Sequence, residues 1–110
     1  MKTWETTVFG YSIRVEVQPL DNGIDVGIFG GCSTHVGAVS LADPEGGVQT
    51  MERPGHKDRC VSEPWALRLA NAWRTPVCVR CGIHYDNASP AQIQRIMAAC
   101  DDLMEKALMR

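Results

Sequence analysis

Residues Thr75 to Gln92 restrict this chain most, because a strand pattern there runs directly into a marked helix start. Val77, Val79, Cys81 and Ile83 alternate with Cys78, Arg80 and His84, the period of two that sends successive side chains to opposite faces of a strand. Ser89 is a good N-cap, Pro90 suits the first helical position, and Gln92 completes a capping box. Beyond it, Ile93, Ile96, Met97, Cys100, Leu103, Met104, Ala107 and Leu108 fall on one helical face, with Gln94, Arg95, Asp101, Asp102, Glu105 and Lys106 on the other. Such a stripe needs a sheet or a partner's helix to cover it, and its methionines are core-like. Between strand and helix lies a polar turn, His84, Tyr85, Asp86 and Asn87, where mixed α/β proteins often place polar chemistry.

Ahead of this stretch the pattern is β. Trp4 to Phe9 is β-rich, Gly10-Tyr11 fits a two-residue hairpin turn with glycine first, and Ile13, Val15 and Val17 alternate with Ser12, Arg14, Glu16 and Gln18. Pro19 to Gly23 is a second turn, after which Ile24, Val26 and Ile28 alternate with Asp25, Gly27 and Phe29. A further strand spans Val36 to Ala42, and Val48 to Glu52 returns after the turn at Asp43 to Gly47. A first helix falls within Asp58 to Arg74, with Trp65, Ala66, Leu69, Ala70, Ala72 and Trp73 as its stripe. Pro64 cannot sit deep in that helix, so either Ser62 caps it with Pro64 in the first turn or a separate turn precedes it. The fold expected is a single α+β domain over residues 1–110: a mostly antiparallel sheet, with a β-meander of about five strands and then α-β-α, and two helices packed on it.

Composition sets the outer limits. A chain of 110 residues, 45% hydrophobic and 22% charged, can bury a core without metal or disulfide support. A net charge of -2 argues against nucleic acid as partner, since there is no basic excess to neutralise phosphates. No apolar run approaches the roughly 18 residues of a membrane helix, and Met-Lys-Thr-Trp-Glu is not a signal peptide, so a cytoplasmic location with reduced thiols is expected. Five cysteines, an odd number, also speak against a disulfide framework. Cys78-x-x-Cys81 lies on a strand, which sends the two thiols to opposite faces and prevents them from chelating one ion.

All three histidines sit in punctuated turns: Gly-Gly-Cys-Ser-Thr-His35-Val-Gly, Arg-Pro-Gly-His56-Lys-Asp, and Cys-Gly-Ile-His84-Tyr-Asp-Asn. If those turns share one sheet edge, His35, His56, His84 and Asp86 converge; otherwise they are turn histidines bonded to backbone. No His-x-His or His-x-x-x-His pair pre-organises a metal site, so no metal ligand is assigned. Gly30-Gly31 reads as a bend, a bulge or a backbone nest for an anion. Gly55-His56-Lys57 is the better anion candidate, where a lysine, a histidine and free helical N–H groups would coincide. Cys32, Ser33 and Thr34 beside His35 are nucleophile types, but adjacency is not triad geometry, and no catalytic residue is assigned.

Three blocks taken together, Gly30-Gly31…His35-Val36-Gly37-Ala38-Val39, Pro54-Gly55-His56-Lys57-Asp58 and Gly82-Ile83-His84-Tyr85-Asp86-Asn87-Ala88-Ser89, resemble the LpdD-like prenylated-flavin chaperones. The resemblance implies a non-catalytic accessory subunit or chaperone that binds prenylated FMN transiently and delivers it to the large subunit of a hydroxyarylic acid decarboxylase. It also implies a fold related to proteasome-assembly chaperones, homodimerisation, and cofactor binding by His35, His56, Lys57, His84 and Asp86. Gly31-Cys32-Ser33-Thr34 departs from the family, where an acidic residue and a proline are expected before the histidine. For such a ligand, Gly55-His56-Lys57 would meet the phosphate, and Trp65, Phe29 or Tyr85 would stack on the rings. Phe29 falls on the more polar face of its strand, which leaves a sheet face for ligand or a second subunit. Two other functions fit the residues: a small metal-dependent enzyme using His35, His56 and His84, and a dimeric assembly module without ligand.

Overall fold

The computed structural model describes residues 1–109. Its strands are β1 (Lys2–Val8), β2 (Tyr11–Pro19), β3 (Ile24–Gly31), β4 (Ala38–Asp43), β5 (Gly47–Glu52) and β6 (Val77–His84), with helices α1 (Arg59–Trp73) and α2 (Pro90–Leu108). They form one six-stranded sheet in the order β1-β2-β3-β6-β4-β5. The α+β class with a mostly antiparallel sheet is what the chain adopts, and the sheet is mixed, because β3 and β6 run parallel. Insertion of β6 also divides the expected five-strand run into the β1–β3 meander and the β4–β5 hairpin. The reason lies in β6 itself. Val77, Val79 and Cys81 are each 0% exposed, a strand that needs a neighbour on both edges and cover above.

Both helices supply that cover on one face, where their buried residues join Ile13, Val15, Val17, Val26, Ile28, Val77, Val79 and Cys81 in a continuous core. α1 lies over β4, β5 and β6, while α2 lies over β1. Fully buried Trp65 anchors α1 there, and burying a large apolar side chain contributes about 2–3 kcal/mol. The α2 reading holds locally. Ser89 accepts a hydrogen bond from the Gln92 N–H, and the Gln92 side chain accepts one from the Ser89 N–H at 2.8 Å. Of its stripe Ile96, Cys100, Leu103, Met104 and Ala107 are buried and Met97 is half-buried, whereas Ile93 at the entrance is 49% exposed.

Two local expectations are corrected. The first hairpin turns one residue earlier, at Phe9-Gly10, because Val8 pairs with Tyr11; φ of 50° and 81° give the twist a two-residue hairpin requires. In α1 the cap is Asp58, so Pro64 lies inside the helix, and Ser62 is not a cap. Ser62 is buried, with its hydroxyl 2.8 Å from that of Ser40, which is 2.7 Å from Thr50 Oγ1. Ala72 is exposed, and Val61 takes a place on the buried side.

Among the described residues, no helix lies over the other sheet face. Arg80 donates to Asp25 at 3.1 Å and lies 5.6 Å from the Phe29 ring centroid, while Leu41 and Met51 are 55% and 83% exposed. No described helix is long and apolar enough to cross a membrane.

Candidate functional site

Because β6 separates β3 from β4, the β3–β4 connection must cross the end of β6. It does so at backbone contact. The Cys32 N–H donates to the His84 carbonyl at 2.7 Å, and the Gly37 N–H to the Cys81 carbonyl at 2.9 Å. Glycines make the crossing feasible: Gly31 has φ of +85°, and a Cβ on Gly82 would stand 1.6 Å from the His35 carbonyl oxygen. The Gly30-Gly31 pair is therefore a close-approach bend with no helix behind it. Its effect is to hold His35 over the carboxyl ends of the parallel pair β3–β6, the region where α/β sheets commonly bind ligands.

A second segment comes from the β5–α1 turn. Gly55, with φ of 78°, turns the chain so that His56 and Lys57 precede α1. Asp58 occupies the N-cap position but makes no side-chain cap bond. Its buried carboxylate points inward instead. Oδ1 accepts the Ile83 N–H at 2.9 Å, and Oδ2 lies 3.0 Å from His35 Nε2. His56 Nδ1 is 3.2 Å from the same His35 nitrogen and 3.9 Å from Asp58 Oδ2. His35 Nδ1 faces the Ser33 carbonyl at 3.3 Å.

The three histidines thus converge, with the His84 ring edge-on to His35 at 6.3 Å between centroids. His84 Nε2 is engaged with Asp86 at 2.8 Å, and both side chains are largely exposed. His35, His56, Lys57 and His84 form the polar wall of a cleft of about 390 Å³, whose apolar side is Val61, Ile83, Ile93, Ile96 and Met97. Asp86 reaches this cleft only through His84 and lines a smaller hollow beside it. Asp58 is the residue the sequence reading passed over. At the end of Arg-Pro-Gly-His-Lys-Asp it has the appearance of a helix cap, and only the missing cap bond reveals another task.

Other expectations at the site change. The helix-start donors are already used: the Arg59 N–H goes to the Glu52 carboxylate at 3.0 Å, and the Cys60 N–H to the Lys57 carbonyl at 3.1 Å. Anion binding here would rest on side chains. Trp65 is in the core and Phe29 is on the far face, so Tyr85 is the one of the three aromatics that reaches the cleft. Partial burial raises the Tyr85 phenol above its usual range, and its O–H donates to the Val8 carbonyl at 2.9 Å. Electrostatic repulsion from Cys32, and then hydrogen bonding to it, holds the Tyr11 phenol above its usual range, and Ser33 offers His35 its carbonyl rather than its hydroxyl. The loop therefore presents no nucleophile–base pair among the described residues. Burial first, and then the Asp58 carboxylate, raises the Cys81 thiol and keeps it protonated.

The fold has a solved counterpart. The chain superimposes with a TM-score of 0.54 on a component of a chaperone complex for yeast 20S proteasome assembly, covering 97% of each chain at 17% identity, a similarity to a proteasome-assembly-chaperone fold. Protein LpdD of Lactiplantibacillus plantarum is 26% identical over 113 residues, 98% of this chain and 83% of that protein. Residues 7–110 match the prenylated flavin chaperone LpdD-like domain, and the chain belongs to that family. Membership supports a chaperone or accessory role.

Proposed function

We propose that this protein is a non-catalytic accessory chaperone that holds prenylated FMN and passes it to the large subunit of a hydroxyarylic acid decarboxylase. One observation carries the reading: a cleft with an imidazole and lysine wall facing an apolar wall, of a size typical of small-ligand sites. Lys57 and His56 would take the phosphate, Tyr85 and Met97 would contact the ring system, and His84, steadied by Asp86, would close the polar side. The cleft is open to solvent along the exposed Ile93 and Lys57, which suits a ligand that must leave again.

The test is anaerobic purification after co-expression with a flavin prenyltransferase, followed by native mass and absorbance. The expected product carries one prenylated FMN per chain and activates the partner decarboxylase. Lys57→Ala should weaken retention roughly 10- to 150-fold, the loss of one charge-assisted hydrogen bond of about 1.5–3 kcal/mol. A clean apo-protein unable to activate the decarboxylase would sink the reading. The open sheet face with Leu41 and Met51 supports homodimerisation as part of the same proposal.

A further inference from the structure

We propose that His35, His56 and Asp58 bind a divalent transition metal of the zinc class, with an open coordination position facing the cleft. His35 Nε2, His56 Nδ1 and Asp58 Oδ2 lie 3.2, 3.0 and 3.9 Å apart. Three donor atoms this close can be held together by shared protons or by a metal ion, and one ligand atom from each residue lies within 4.8 Å of the others. Zinc held at about 2.0–2.1 Å by tetrahedral donors sets donor–donor edges of about 3.3 Å, close to two of these separations. The three residues are also supported as metal ligands are. His35 has its other nitrogen on the Ser33 carbonyl, and the second Asp58 oxygen accepts the Ile83 N–H, so both are pre-oriented. Two imidazoles and one carboxylate suit zinc, cobalt or ferrous iron, and disfavour magnesium and calcium. Asp58 and His35 are nearly enclosed, while His56 is partly exposed and lines the cleft, so the free position opens there.

The metal requires no flavin, so the chelator-treated, cofactor-free chain is titrated with Zn²⁺, Co²⁺ and Mg²⁺ by calorimetry and visible absorbance. Expected are one Zn²⁺ per chain, intense four-coordinate Co²⁺ bands, and no saturable Mg²⁺ binding. His56→Ala and His35→Ala should each weaken Zn²⁺ binding by more than about 100-fold, beyond the 10–100-fold that a merely supporting residue costs. Cys60→Ser, which removes the exposed thiol nearest the cleft, should bind as the parent does. Circular dichroism shows which variants are folded, and if His35→Ala is not, His56→Ala carries the decision. Absence of stoichiometric zinc in the parent, a folded His56→Ala that binds as tightly, or loss of the metal on Cys60→Ser would each overturn the assignment. None of these results bears on whether flavin binds.

Discussion

A methyl group on Gly37 would stand 1.7 Å from Asp58 Oδ2, and one on Gly82 1.6 Å from the His35 carbonyl oxygen. Neither neighbour can yield cheaply, since one is a buried carboxylate and the other is backbone. Gly82→Ala should therefore cost about 3 kcal/mol, read as a lowered urea midpoint, and should release His35 from the cleft. Asp58→Ala leaves the Ile83 N–H without its acceptor and should cost about 1–3 kcal/mol. The thiols give a pH dependence of definite sign. Burial pushes the Cys100 thiol up to about 12 and raises that of Cys81 as well. In the unfolded chain both ionise near about pH 8.5, so their stabilisation is complete below that value and is lost as pH rises through the folded values. Melting temperature should hold steady from pH 7 to 8 and then fall progressively above about pH 9. In the sequence these glycines looked like ordinary turn punctuation, because steric clearance to a residue tens of positions away leaves no local mark. Asp58 was hidden for a related reason: an aspartate before a helix has a sufficient local explanation.

The legible elements were those whose signals are local. The capping box and the apolar stripe of α2 are written in consecutive residues, and both are present in the fold. Ser89→Ala should lower stability by about 1 kcal/mol in thermal denaturation, with little effect on the sheet. α1 was harder to read because Pro64 lies inside it and Ser62 spends its hydroxyl on Ser40, a contact between elements rather than within one. The alternation in β6 correctly marked Val77, Val79 and Cys81 as inward. It said nothing about which strands would flank them, since hydrophobic period fixes a face and not a partner.

For the molecule as a whole, the sequence placed three histidines in turns but could not bring the turns together. That required the order β3-β6-β4, which puts the β3–β4 crossing, the β5–α1 turn and the end of β6 at one edge. The uncovered sheet face carries the matching prediction for assembly. Native mass should give a dimer, and Met51→Lys with Leu41→Glu should yield a folded monomer, because both positions are exposed and bear on no core contact.

The place of β6 also has a consequence for how the protein comes off the ribosome. The two strand groups made first share no edge with each other, and the strand that joins them is made after both. Until Val77 to His84 has emerged, the nascent polypeptide holds apolar strand edges with nothing to seal them, a state prone to aggregation and slow to resolve. The cleft takes its walls from β6 and α2 as well as from the two earlier turns, so it is complete only once both late segments have joined the sheet.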